Sequence, residues 1–144
     1  MNDWFACLSH EQVVERWPRI RELLEPAMPR NDGEIEVDDI LYRSEEGAVQ
    51  IAIMGIGEEI VLAVVTEVIT YPRKKVLNLT AIGGTHSALF AEKYLPVLIS
   101  FAQDMGCDCI QSAWDEPTAR LFLRVSKTPG YQWHKAYSTF RMGV

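Results

Sequence analysis

The order of signals along this chain predicts a mixed α/β fold: an antiparallel strand meander, then a parallel strand pair at the centre of the sheet. Three observations carry that expectation. Residues 48–55, 60–71 and 75–82 are three Val/Ile-rich runs with only turns between them, and strands joined so directly pair antiparallel. The third run ends in Gly83-Gly84, and residues 88–105 then follow a helical period up to Gly106. A short strand over residues 107–114 comes next. A helical crossover makes the strands on either side of it parallel neighbours.

Each element has its own local reason. Trp4-Phe5-Ala6-Cys7-Leu8 reads as a short first strand. Ser9-His10-Glu11-Gln12 has the form of a capping box, with Ser9 accepting from a free backbone N–H and Gln12 reaching back. Val13, Val14, Trp17, Ile20, Leu23, Leu24 and Ala27 continue at helical spacing, and Pro18 inside that pattern should bend or restart the helix. Pro29-Arg30-Asn31-Asp32-Gly33-Glu34 is the longest polar stretch and reads as a loop. A second helix is expected over 37–44, ended by Glu45-Glu46-Gly47.

In the meander, Ile56-Gly57-Glu58-Glu59 supplies the first turn and Pro72-Arg73-Lys74 the second. The Val and Ile content suits a sheet covered on both faces. In the crossover helix, Leu95, Leu98, Ile99 and Ala102 mark the buried stripe. Pro96 sets its first turns apart as a separate short segment, and Gly106 is the left-handed stop. Asp115 or Thr118 would cap a helix over 119–126. Residues 131–142 read as a final strand or hairpin, with bulk from Tyr131, Trp133, Tyr137 and Phe140.

Composition narrows the function classes. A chain of 144 residues, 48% hydrophobic and 24% charged, fits one globular domain spanning 1–144. A formal net charge of −6 argues against a broad phosphate-binding surface and so against nucleic acid as a partner. The basic cluster Arg73-Lys74-Lys75 is short and falls at a turn. The three cysteines are an odd number, and Cys107 and Cys109, two apart on one strand, share a face in poor geometry for a disulfide. A reduced, intracellular protein is the expectation. No basic segment precedes an apolar run at the start of the sequence, so no secretory signal is expected. The best apolar stretch, residues 60–65, is strand-sized, so no membrane span is expected.

The complete string, β-α-α-β-β-β-α-β-α-β, resembles the GNAT superfamily of N-acetyltransferases over essentially the whole chain. The sharpest local matches are to GNAT-like proteins of tailed phages and prophages. They run through Thr66-Glu67-Val68, Tyr71-Pro72-Arg73, Val76-Leu77, Gly83-Gly84, the segment from Ala102 to Cys107, and Gly130-Tyr131. The resemblance implies that strands 75–82 and 107–114 splay apart with acetyl-CoA or CoA in the V between them. It implies a pyrophosphate site on the backbone from Ile82 through Gly83, Gly84, Thr85, His86 and Ser87, at the start of the next helix, where free N–H groups and the helix dipole favour an anion. This loop differs from the family's Arg/Gln-x-x-Gly-x-Gly/Ala pattern in spacing and in lacking the leading basic residue. Catalytic members often carry a Tyr on the later helix that reprotonates the thiolate. With Ala119 set at the family's Ala, that place is Leu123.

Two functional expectations follow from the resemblance. One is a weakly catalytic or non-catalytic phage-type protein, acting as a binding or virion-associated component. Its partners would be phage structural proteins or further copies of itself, in the host cytoplasm or the particle. The alternative is an acetyl-CoA-dependent N-acetyltransferase for a small-molecule or protein amine. Glu67, among apolar neighbours, is the candidate general base, with a pKa that burial would raise; set against this is a carboxylate facing solvent or paired with Arg73 or a lysine. Tyr131 is the remaining candidate acid. Cys107 and Cys109 are expected to be buried and reduced and to hold no metal, since zinc needs four clustered ligands and Cys7, His10, His86 and His134 are scattered. His86 reads as a phosphate contact or a solvated turn residue, and Trp4 and Trp17 as core or as a contact patch.

Overall fold

The computed structural model describes residues 2–30, 33, 35–114, 116–125, 129–136 and 140–144. The expected cap Asp115, the end of the last helix at Ser126, the aromatic Tyr137 and the loop residues Asn31, Asp32 and Glu34 lie outside the described residues. The elements run β1 (Asp3–Leu8), α1 (His10–Leu24), a 3₁₀ turn (Glu25–Arg30), α2 (Val37–Glu45), β2 (Gln50–Ile56), β3 (Glu59–Thr70) and β4 (Lys75–Gly84). There follow α3 (Ser87–Leu89), a π-helical turn (Phe90–Tyr94), α4 (Leu95–Asp104), β5 (Cys109–Ser112) and α5 (Glu116–Val125).

The five strands lie in sequence order, β1-β2-β3-β4-β5. β1 through β4 pair antiparallel, and β4 pairs with β5 in parallel. This is the expected meander with its parallel pair. The hairpin turn is Gly57-Glu58, with Gly57 at φ 61, the left-handed geometry that a two-residue hairpin wants and glycine tolerates.

The sheet is covered on both faces. One face carries α1 and α2, whose Val13, Ile20, Leu24 and Ile40 pack on Ile51, Ile53, Ala63, Val65 and Ala81. The other carries the π turn, α4 and α5, whose Phe90, Leu95, Leu98 and Phe122 pack on Met54, Leu62, Val64 and Leu79. Adjacent residues Val64 and Val65 belong to opposite cores because strand side chains alternate. Trp4 lies over Gly55, its register partner, and donates from Nε1 to the Gly57 carbonyl at 2.7 Å. Trp4 and Trp17 therefore both pack against the α1/α2 core.

The Ser9/Gln12 capping box is present. Pro18 does not restart α1, which runs unbroken from His10 to Leu24. Pro96 does divide the crossover helix: it stands in the first turn of α4, and the Leu95 N–H bonds five residues back to the Phe90 carbonyl. Three expectations are corrected. No described residue of 131–142 is in a strand; Trp133 packs edge-on to Trp114 at 4.6 Å, while Tyr131 and Phe140 are exposed. Thr118 lies inside α5 and does not cap it. Cys109 is exposed and Cys107 half-buried. Cys107 precedes β5, and Cys109 stands on the outermost strand, where α1, packed on β1, β3 and β4, gives no cover.

Candidate functional site

Two irregularities converge in the middle of β4. In the β3–β4 ladder, Val65 pairs with Ala81 but Thr66 pairs with Leu79, so Thr80 is an extra residue and its backbone leaves the ladder. In the β4–β5 ladder, pairing begins at Val76–Cys109 and stops at Leu79–Ser112. β4 continues to Gly84 while β5 has ended. The two strands therefore part at Leu79/Ser112, and among the described residues no strand pairs with β4 from Thr80 onward on the β5 side. Ser112 seals the apex, donating from Oγ to the Leu79 carbonyl at 3.1 Å.

Trp114 follows the apex on the β5 side. Its ring stacks on Phe122 of α5 at 4.5 Å, and its indole Nε1 is buried with no hydrogen-bond partner among the described residues. A buried, unsatisfied donor costs about 1–3 kcal/mol. It is a group for which a bound acceptor atom would be a net gain.

The loop that follows β4 is built differently from the expectation. A Cβ on Gly83 would sit 2.2 Å from the Leu23 carbonyl oxygen, and one on Gly84 2.2 Å from the Val61 carbonyl oxygen. Gly84 also has φ 125. Both glycines are thus required by the chain's own packing, Gly83 where α1 crosses β4 and Gly84 where β4 meets a bulge of β3 at Val61. Thr85 is committed as well, its backbone N–H donating to the Val61 carbonyl at 2.8 Å and its Oγ1 lying 2.8 Å from His86 Nδ1. His86 adopts the left-handed conformation at φ 64 and starts α3 without a side-chain cap. The first-turn N–H groups of Ser87 and Ala88 follow it, and Ile82 packs on the α4 core. Residues 83–88 contain no Lys or Arg.

Glu67 and Tyr131 are not brought together. Glu67 sits on the α1/α2 face, half-buried, and its carboxylate accepts a charge-assisted hydrogen bond from Arg43 of α2. The partner is neither Arg73 nor a lysine. Tyr131 is 47% exposed on the opposite side, where its hydroxyl accepts from Gln103 Nε2 at 2.9 Å near the C-terminal end of α4. Leu123 is 56% exposed. The α5 side chain that packs against the end of β5 is Phe122, a ring without a hydroxyl. Burial pushes the Cys107 thiol up from its ordinary value, away from the thiolate form. No three His, Cys, Asp or Glu side chains cluster as a metal site among the described residues, and no helix among them is long and apolar enough to cross a membrane.

Comparison with solved structures matches this architecture along nearly its whole length. An aminoglycoside acetyltransferase from an uncultured soil metagenomic sample superposes with a TM-score of 0.67 at 13% identity, over 97% of each chain. A predicted acetyltransferase with acetyl-CoA from Clostridium acetobutylicum gives 0.66 at 11% identity, over 96% of each chain. The chain has the GNAT acetyltransferase fold. An aminoglycoside N-acetyltransferase in complex with CoA gives a TM-score of 0.65 at 16% identity, over 97% of this chain and 94% of that one. No family model and no curated protein matches the sequence. At these identities the likeness is one of fold, and function has to be argued from the site.

The features that sequence reasoning missed are the bulge at Thr80, the partnerless Trp114 indole and the Arg43–Glu67 pair. The bulge had a signal, a Thr amid Val, Leu and Ile just before the glycine pair. The ion pair had none, because the two residues are 24 positions apart on different elements.

Proposed function

We propose that the chain binds an acyl-CoA in the V between β4 and β5 and transfers its acyl group slowly to an amine. The observation that carries this reading is the β4 edge from Thr80 to Gly84, bulged at Thr80 and released from β5, with Trp114 two residues past the end of β5. When bound, the acyl-CoA supplies an activated thioester, and transfer forms an N–C bond as the C–S bond breaks. The residues' contributions follow from what they carry. The β4 backbone from Thr80 offers N–H and C=O groups to an extended amide chain, as a sheet edge does to a peptide. Trp114 offers a desolvated N–H donor to a carbonyl. The N–H groups of Ser87 and Ala88 and the helix dipole offer an anion site. Neighbours of the same fold solved with acetyl-CoA and with CoA support the assignment.

Slowness follows from α5. Leu123 and Phe122 supply no proton for the departing thiolate, and a missing general acid costs about 10²–10⁴ in rate. The same observation favours a second reading, a binding component without turnover, whose proposed partners are phage structural proteins or further copies of itself. Calorimetry of the full chain with acetyl-CoA tests the first step. Saturable binding with Kd on the order of tens of micromolar, about −6 kcal/mol, is expected, and absence of binding overturns the assignment. Release of free thiol over a panel of amines then decides between the readings. Turnover above the protein-free blank establishes the transferase, and bound acetyl-CoA without turnover establishes the binding component.

A further inference from the structure

β1 is an edge strand that carries none of the features that usually protect one. It stands at one end of the sheet order, and among the described residues no strand pairs with its outer side. Native edges are blunted by lysine, proline, a bulge or a covering element. The strand Asp3-Trp4-Phe5-Ala6-Cys7-Leu8 has no lysine, arginine or proline. Its register with β2 runs unbroken from Asp3–Ile56 to Leu8–Ile51, so no bulge turns the edge away. The single charge, on Asp3, is drawn inward to Lys93 and Tyr94. Cys7 is exposed, so the strand is open at that end.

The register also fixes which backbone groups face outward. The Gly57 N–H donates to the Asn2 carbonyl at 2.7 Å, and these two residues extend the ladder one pair beyond Asp3–Ile56. Antiparallel pairs alternate between hydrogen-bonded and non-hydrogen-bonded. Asn2, Trp4, Ala6 and Leu8 therefore bond to β2, while Asp3, Phe5 and Cys7 turn their N–H and C=O groups to the outer edge. That set is symmetric about Phe5. A second β1 laid antiparallel, with the two Phe5 residues opposite each other, sets each Asp3 against the Cys7 of the other copy. Every outward group then has a partner, about six hydrogen bonds in all. The side chains agree with this register. Phe5 lies on the α4 face, against Phe90 and stacked on Tyr94, so the two Phe5 rings become a cross-strand aromatic pair. Cys7 falls on the same face, small and uncharged opposite Asp3.

We propose that β1 is a self-association edge: two copies join antiparallel through β1 about a dyad at Phe5, and their sheets become one. The occupant is a second copy because the edge complements itself. β1 against the β5 edge of another copy would be head-to-tail and would run on into filaments, whereas β1 against β1 closes at two. The contact lies at the edge of the sheet opposite the V, so it stands whether or not the acyl-CoA reading does. A strand pair alone buries less than a stable interface needs, so a Kd of roughly 10–100 µM is expected.

Sedimentation equilibrium of the full chain under reductant, taken up to about 1 mM, should show a reversible monomer–dimer equilibrium in that range. In a mixture of ¹³C-labelled and unlabelled chains, isotope-filtered NMR should show Trp4 Hα of one copy beside Ala6 Hα of the other, the close non-hydrogen-bonded pair of this register. Two variants cut the contact without touching the β1–β2 ladder. Cys7→Pro removes only an outward N–H, and Cys7→Asp sets a carboxylate opposite Asp3 of the other copy. Each should weaken dimerisation at least about tenfold and leave the amide spectrum of a folded monomer. Should the proline variant fail to fold, Cys7→Asp, at an exposed position, carries the test. Cys7→Ser should dimerise like the parent. A chain still monomeric at about 1 mM overturns the proposal. So does a dimer that survives Cys7→Asp undiminished, one that reductant or Cys7→Ser dissolves, or a filtered contact that falls outside β1.

Discussion

Asp3 fastens the first strand to the crossover helix. Its carboxylate, 3% exposed, accepts from Lys93 Nζ at 2.7 Å and from the Tyr94 hydroxyl, and Phe5 stacks on the Tyr94 ring at 5.2 Å. The hydrogen bond from Lys93, then that from Tyr94, holds the Asp3 carboxyl below its ordinary 3.8. The same bonds to Asp3 raise Lys93 and Tyr94 above their ordinary values. A depressed carboxylate contributes stability that is present above its unfolded pKa and lost as pH falls through its folded one. A raised Lys or Tyr contributes below its unfolded pKa and loses that as pH rises through the folded one. The cluster therefore stabilises between about pH 4 and pH 10. Asp3→Asn should lower Tm at pH 7, and the gap to the parent should close as pH drops below about 3.8. A gap that persists unchanged at pH 3 would show that the ion pair is not its source. Gly83 gives a second prediction at this scale. Gly83→Ala places a methyl 2.2 Å from the Leu23 carbonyl oxygen, and neither backbone yields cheaply. A loss of about 1–3 kcal/mol is expected in urea unfolding. A Val at Gly84 would likewise strain the sheet before it touched any ligand, so such a variant tests packing rather than phosphate binding.

Among the elements, α1 makes the sharpest prediction. Pro18 has no N–H to give the Val14 carbonyl, yet the helix runs through it. Val14 is exposed, so water can serve that carbonyl. Replacing Pro18 with Ala restores the hydrogen bond and removes the ring. An interior proline costs about 3 kcal/mol, offset by up to about 1 kcal/mol through the stiffer unfolded chain. Pro18→Ala should then stabilise by about 2 kcal/mol; a neutral or destabilising result in thermal unfolding would mean the fold uses a bend there. The contrast with Pro96 shows what a sequence reveals. Both prolines are visible in it, but whether a helix absorbs or breaks at one depends on the packing on either side. β1 to β4, the capping box and the stop at Gly106 were legible because each is encoded locally, by alternation, a cap or a left-handed glycine. Over the described residues of 131–142 the expected strand is missing, because aromatic bulk resembles a strand whether it pairs or, like Trp133, packs on Trp114 and Phe122. The burial of Cys109 was misjudged because it depends on how far α1 reaches across the sheet. Of the candidate site, the glycine pair and Glu67 were visible as residues, while the parting of β4 from β5 is a property of register that no single residue announces.

At the scale of the molecule, the open β4 edge and the overall charge make one joint prediction about acyl-CoA. A ligand that pairs with β4 should slow amide exchange over residues 80–84 and leave the distant β1–β2 ladder unchanged. Acetyl-CoA at one hundred times its Kd should add about 2.7 kcal/mol, which raises Tm by roughly 8 °C for a chain of this size. Trp114→Phe removes the orphaned donor but also part of the buried ring, so the relief and the lost packing should offset in the free protein, and that rise should shrink. Charge gives the second half. The chain carries −6, residues 83–88 hold no Lys or Arg, and the nearby Lys93 is engaged by Asp3. CoA is itself a polyanion. Binding carried by backbone N–H groups and a helix dipole, against a net repulsion, should hold steady or tighten as salt screens the like charges. Binding carried by basic side chains would instead weaken steeply. Calorimetric titrations from about 50 to about 300 mM salt, across which the screening length falls below about 10 Å, read the sign directly. A tenfold loss of affinity over that range would mean that lysines or arginines outside the loop clamp the phosphates, and the backbone account of this site would have to be abandoned.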